Sequence, residues 1–179
     1  MNCTVFGLDL AKRVLQLHWV DMETGEVCRR QLKRQQVVEF FANRTPGIIA
    51  MEACGSGHYW GRKFAAMGHK VRLIAGQFVR PFVKSNKTDV ADAQAIWEAA
   101  QRPGRHSVGI KSQEQLDIQA LHRVRQRLVT ARTAIVNQVR GLLRERGLVF
   151  GSGRMRFEQF LKEQLARHES ELNPVCRTL

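Results

Sequence analysis

Within the first hundred residues, three short strand-like segments follow one another with no helix between them, and from there on helix and strand alternate. That rhythm restricts the fold more than any other feature of the chain. "CTVFGLDL" (Cys3–Leu10) is an apolar run carrying one acid, "VLQLHWVD" (Val14–Asp21) alternates in part, and "VCRRQL" (Val27–Leu32) returns after the turn "METGE". Three strands joined by loops this short predict an antiparallel meander. "QQVVEFFANR" (Gln35–Arg44) then has helical spacing, with Val38, Phe41 and Ala42 on one side. "GIIAME" (Gly47–Glu52) is a short apolar run, as expected of a buried central strand. "HYWGRKFAAM" (His58–Met67) reads as a helix stopped by Gly68, and "HKVRLI" (His69–Ile74) as a fifth strand. "DVADAQAIWEAAQ" (Asp89–Gln101) is a helix for which Thr88 is the natural N-cap.

The order β-β-β-α-β-α-β-α predicts an α/β fold: a mixed sheet with helices packed on it. This is the ribonuclease H-like arrangement, which fixes a class and not an activity. "RPGRHSVG" (Arg102–Gly109) then breaks the pattern with Pro and Gly. We therefore expect one domain over residues 1–104 and a basic, coiled-coil-like helical region over 105–179. "SQEQ" (Ser112–Gln115) is a capping box. Behind it, Leu121, Val124, Leu128, Ala131, Ile135, Val139 and Leu142 recur at spacings of three and four, close to a heptad seam. "GLVFGSGR" ends that helix, and "FEQFLKEQLARHESEL" (Phe157–Leu172) reads as another.

Charge bears on partners. There are 29 Lys+Arg against 16 Asp+Glu, a formal charge of +13. An excess of this size points to a polyanion, nucleic acid before an acidic membrane surface. The excess is concentrated on the long helix: Arg123, Arg125, Arg127, Arg132, Arg140, Arg144 and Arg146 meet one nearby acid, Glu145. A solvated face usually mixes signs, so these arginines are candidates for phosphate contact. With 44% hydrophobic and 25% charged residues, the composition is that of a globular protein and excludes wholesale disorder. No segment approaches the roughly 20 apolar residues of a membrane span, and no leader is visible. The four cysteines, Cys3, Cys28, Cys54 and Cys176, form no C-x-x-C pair and read as small buried hydrophobes in a reducing, cytoplasmic setting.

Against that basic background, four acids stand out. Asp9 lies inside an apolar strand, where a carboxylate is costly unless paired, hydrogen-bonded or bound to a metal. Glu52 ends a central strand, where ligand-binding groups gather in such sheets. Asp89 and Asp92 open a helix. Each suits the helix dipole by ~0.3–1 kcal/mol, and this alone would account for them. Their i, i+3 spacing also places both on one face. In a ribonuclease H-like sheet these four converge. Divalent Mg²⁺ or Mn²⁺, which prefer carboxylate oxygen, would offset the repulsion. Lys84 and Lys87 beside them are candidates for holding a phosphate backbone, or a solvated pair. "GSGHYWG" fails as a dinucleotide fingerprint because its third glycine falls one place late. His18, His58 and His69 are scattered, and Trp19, Trp60 and Trp97 lie on apolar faces; structural roles are expected for all six.

Around those acids, "FGLDLAKRVLQLHWVD", "IIAMEACGSGHYWGRKFAAMGHKVRLI" and "VRPFVKSNKTDVADAQAIWEAA" resemble the N-terminal part of the DEDD transposases of bacterial insertion sequences, a group that includes pilin-gene invertases. "LHRVRQRLVTARTAIVNQVRGLLRERG" resembles the helical segment that follows there, so that the likeness covers roughly residues 4–150. The resemblance implies a RuvC-like, metal-dependent nuclease fold. Asp9, Glu52, Asp89 and Asp92 would take the D-E-D-D positions and bind Mg²⁺. It further implies excision and insertion of an element, guided by a structured RNA. Members carry a C-terminal domain with a serine proposed as nucleophile. This sequence ends at Leu179, before such a domain, so complete recombination by this chain alone is not expected. Two other readings stay open at this stage: a junction-resolving nuclease, and a non-catalytic module that binds nucleic acid and self-associates.

Overall fold

The computed structural model describes residues 3–83, 88–102, 107–149 and 153–167. Five strands form one mixed sheet: β1 (Val5–Leu10), β2 (Val14–Val20), β3 (Val27–Lys33), β4 (Ile48–Glu52) and β5 (Lys70–Ile74). Their order across the sheet is β3-β2-β1-β4-β5. The meander pairs antiparallel, whereas β4 joins β1 and β5 joins β4 in parallel. Short turns permit only the antiparallel pairings, and the parallel strands arrive by helical crossovers. These crossovers are α1 (Arg34–Ala42) between β3 and β4 and α2 (Gly57–Ala66) between β4 and β5.

The two sides of the sheet are covered differently. Phe6, Leu8, Leu15, Leu17, Ile49, Met51 and Leu73 point to one side, where they pack with Val37 and Phe41 of α1 and with Trp60 and Phe64 of α2. On the other side Ala50 and Ile74 meet Ala95, Ile96 and Ala99 of α4 (Asp89–Gln101). Between β5 and α4, Gly76–Val79 form a single turn, α3, continued by a 3-10 turn at Arg80–Phe82; the sequence pattern had not shown either. His69 ties the first side together. Its Nδ1 accepts from the Gly47 N–H at 3.1 Å, and its Nε2 lies 3.0 Å from the Phe41 carbonyl.

Two expectations need correction. On α1 the buried pair is Val37 and Phe41, at i, i+4, while Ala42 is exposed and Val38 only half-buried. Packing on the sheet, and not the apolar pattern alone, decides which side of the helix is covered. Cys3 and Cys54 are exposed and Cys28 half-buried, so they are not core hydrophobes; Cys3 precedes β1 and Cys54 lies in the turn after β4. Cys176 is outside the described residues, as is part of the connector.

The chain divides into two compact units, Met1–Leu116 and Asp117–Leu179. In the first, residues 107–113 are strapped to β5 and α2. The Val108 N–H donates to the Leu73 carbonyl at 2.7 Å, and Arg62 donates to the Lys111 carbonyl at 2.7 Å and to Gln113 Oε1 at 3.0 Å. The expected capping box is present: the Ser112 N–H donates to Gln115 Oε1 and the Gln115 N–H to Ser112 Oγ. It opens α5 (Gln113–Arg144), a helix of 32 residues with no buried side chain. α6 (Arg154–Arg167) follows. Among the described residues, no helix is long and apolar enough to cross a membrane.

Candidate functional site

Register places the first two acids. In the parallel pair, Gly7 lies opposite Ala50 and Leu8 opposite Met51, so Asp9 and Glu52 are neighbours one step further along. Side chains alternate along a strand. Since Gly7 and Ala50 face α4, Asp9 and Glu52 share that side. On the antiparallel flank Asp9 lies opposite Gln16, which is itself buried.

The helix supplies the other two. Thr88 caps α4 as expected, its hydroxyl accepting from the Ala91 N–H at 3.2 Å. Asp89 and Asp92 fall in the first turn. That turn can come close to the sheet because of Gly7. A Cβ there would lie 2.7 Å from both the backbone nitrogen and the Cβ of Trp97. A glycine inside a strand often marks such an approach.

The electrostatics of Asp9 record the gathering. Its pKa is pushed up to about 6, first by burial, then by the charges of Asp92 and Asp89, and least by Glu52; a hydrogen bond from the Leu10 backbone acts in the opposite direction. Glu52 leans against α3: a Cβ on Gly76 would meet its Oε1 at 2.5 Å. Asp9, Glu52 and Asp92 are half-buried and Asp89 is exposed. The donor set is therefore all oxygen and all anionic, which suits a hard divalent cation. Asp9 lies within electrostatic range of the other three. Among the described residues, no three His, Cys, Asp or Glu side chains are placed so that they could hold a metal ion together.

Lys84 and Lys87 fall outside the described residues. Arg123, Arg125, Arg127, Arg132 and Arg144 are exposed along α5, in the second unit. Arg140 is half-buried there; its guanidinium donates to the Gly153 carbonyl at 2.9 Å and lies 4.9 Å over the Phe157 ring. His18 is buried beside Trp97, and the His58 Nδ1 accepts from the Lys111 N–H at 3.2 Å. Sequence reasoning missed Gly7, Gly76 and Gln16. The first left a readable signal, a glycine within an apolar strand. The other two had none, because only the register and the α3 turn give them a place.

Fold and site together define a mixed α/β domain with an acid-lined rim at the carboxyl ends of two parallel strands. A transposase family model, that of the IS110-type DEDD transposases, matches residues 6–146. The chain belongs to this family. It is 58% identical over 149 residues to a protein of Pseudomonas aeruginosa named as a probable family 20 transposase, a match covering 83% of this chain and 44% of the relative. It is 45% identical over 170 residues to the transposase for insertion sequence element IS1111A of Coxiella burnetii, covering 95% and 47%. It is 41% identical over 152 residues to the transposase for insertion sequence element IS1328 of Yersinia enterocolitica, covering 85% and 46%. The chain spans a little less than half the length of these curated relatives.

Proposed function

We propose that the first unit is the ribonuclease H-like, RuvC-like nuclease part of a transposase that acts on DNA phosphodiesters to mobilise an insertion sequence, holding Mg²⁺ or Mn²⁺ through Asp9, Glu52, Asp89 and Asp92. The observation that carries this is the meeting of β1, β4 and the first turn of α4 at one rim, with Asp9 under the influence of all three other acids. Family membership and the sheet order β3-β2-β1-β4-β5 support it. Divalent ions there would supply Lewis-acid stabilisation of the phosphodiester oxygens. The chain's own residues have separable tasks. Asp9, whose carboxyl pKa is held at about 6 by burial and the neighbouring acids, must be deprotonated to serve as a ligand. Thr88 holds the helix turn that presents Asp89 and Asp92. The absence of a Cβ at Gly76 leaves the space that the Glu52 carboxyl occupies.

The family reading extends to a structured guide RNA and to self-association. The exposed arginines of α5 offer phosphate contacts. Leu121, Val124, Leu128, Ile135 and Leu142, between 48% and 71% exposed, offer an apolar face to a second copy. The test is binding of branched DNA and structured RNA with and without Mg²⁺. Binding that Mg²⁺ strengthens in the wild type and leaves unchanged in Asp9→Asn and Asp92→Asn supports the reading. Binding indifferent to metal in all three would replace it with a non-catalytic nucleic-acid module.

A further inference from the structure

The end of the sheet that carries Asp9 also carries a cluster of cations with no role in the metal site. The β1–β2 turn contains Lys12 and Arg13, both exposed. The next strand ends beside it: Lys33 pairs with Val14 in the β2–β3 register and is exposed as well. Lys12 is three positions on from Asp9, so their Cα atoms lie no more than about 11 Å apart. Lys33 is on the same side of the sheet as Asp9. Leu32 points into the α1/α2 core, so its neighbour points the other way, as does Arg29, which reaches Gln94 of α4 at 3.5 Å.

Two further features separate this cluster from an ordinary solvated surface. The paired segments 10–20 and 27–38 hold six Lys or Arg and no Asp or Glu, so no acid within them neutralises it. The turn is also braced. Arg34, at the start of α1, donates to the carbonyls of Ala11 and Lys12 at 3.5 and 3.4 Å, and its guanidinium lies 5.3 Å over the Trp60 ring. A guanidinium held by core aromatic and backbone leaves Lys12 and Arg13 projecting from a fixed turn.

We propose that Lys12, Arg13 and Lys33 form a phosphodiester-binding edge beside the carboxylates, gripping the backbone of the nucleic-acid strand whose scissile phosphate lies at Asp9, with Arg34 as the positioning residue that holds the turn. This deepens the function proposed above and rests on it. Each cation neutralises one phosphate and releases a counterion, so the edge reports itself in salt dependence.

The experiment measures binding of a single-stranded DNA oligonucleotide to the chain in EDTA across a salt series. Alongside it, Mn²⁺ binding is measured without nucleic acid. Lys12→Ala/Arg13→Ala/Lys33→Ala should lower the magnitude of the slope of log K against log salt by about 2, at roughly 0.7 per contact, and leave Mn²⁺ binding as in the wild type. Lys12→Arg/Arg13→Lys/Lys33→Arg should keep the slope. Lys70→Ala, at the opposite end of β5, should change it by less than about 0.3, below the single-contact value. A slope unchanged in the triple alanine variant overturns the edge. So does a Lys70→Ala effect as large per charge as that of the triple, since the charges would then act as a diffuse field. Failure of the metal reading looks different: Mn²⁺ binding is absent in the wild type while the slope change persists.

Discussion

On the side of the sheet that carries α1 and α2, large side chains interlock: the Phe41 ring meets Phe6 at 5.3 Å, Phe64 at 5.0 Å and His69 at 5.4 Å. On the side that carries α4, Ile74 and Ile96 pack among small residues, Gly7, Ala50, Ala93, Ala95 and Ala99. The first side buries the aromatic side chains Phe6, Phe41, Trp60 and Phe64. The second brings helix backbone close to strand backbone and ends in four carboxylates. Hydrophobic stabilisation scales with the apolar area removed from water, so the aromatic side dominates stability. The thin side is shaped to place a helix turn over Asp9. On the function proposed above, the sheet assigns rigidity to one face and chemistry to the other.

The difference can be broken from either side. Phe41→Ala removes the centre of the aromatic cluster and should cost about 3–5 kcal/mol by denaturant unfolding, while Mn²⁺ affinity of the fraction still folded stays the same. A selective loss of metal binding with normal stability would contradict the division. Gly7→Val attacks the thin side. Overpacking should cost about 1–3 kcal/mol, and because α4 must move away from β1, Mn²⁺ affinity should fall at least tenfold. Retained affinity would show that the helix turn is not positioned by that contact.

Thr88→Ala removes the cap hydrogen bond and should cost about 1 kcal/mol, with a smaller loss of metal affinity, because Asp89 and Asp92 remain on a frayed turn. The mildest effect is on pH dependence. The folded pKa of Asp9, about 6, lies above its ordinary value of 3.8. Between those values the folded state holds a proton that the unfolded state has lost, so stability falls as pH rises through the window and stays lower above it. Asp9 is only partly buried, and solvent screening reduces the effect to on the order of 1 kcal/mol. It should appear as a difference between wild type and Asp9→Asn melted in EDTA at pH 4 and pH 7. Added Mg²⁺ should reverse it at pH 7. Identical pH profiles would remove the electrostatic account of Asp9.

Much of this was legible in the residues. The five strands follow from period and turn chemistry, and α4 begins at Asp89 with Thr88 as its cap, because that cap is a local hydrogen bond. The acids could be picked out because a basic chain places few carboxylates in apolar strands. Other features had no local signature. The α3 turn at Gly76–Val79 is four residues long, too short to show periodicity. Gln16 gains its place beside Asp9 only through a register that pairs residues seven apart. On α1 the covered pair is Val37 and Phe41, because packing on the sheet and not the apolar pattern alone decides which side of the helix is buried. The seam on α5 was readable as a pattern, yet in the single chain its leucines face solvent, since a heptad gives a face and not the partner that covers it.

The central claim is that Asp9, Glu52, Asp89 and Asp92 act as one cation site. Titration calorimetry of Mn²⁺ into the chain at pH 7, with Asp9→Asn, Glu52→Gln and Asp92→Asn alongside, tests it most directly. The account predicts saturable binding in the wild type, lost or weakened at least tenfold in each variant, with thermal unfolding of the variants in EDTA no lower than the wild type. Binding that survives all three substitutions, or no saturable binding in the wild type, would contradict it.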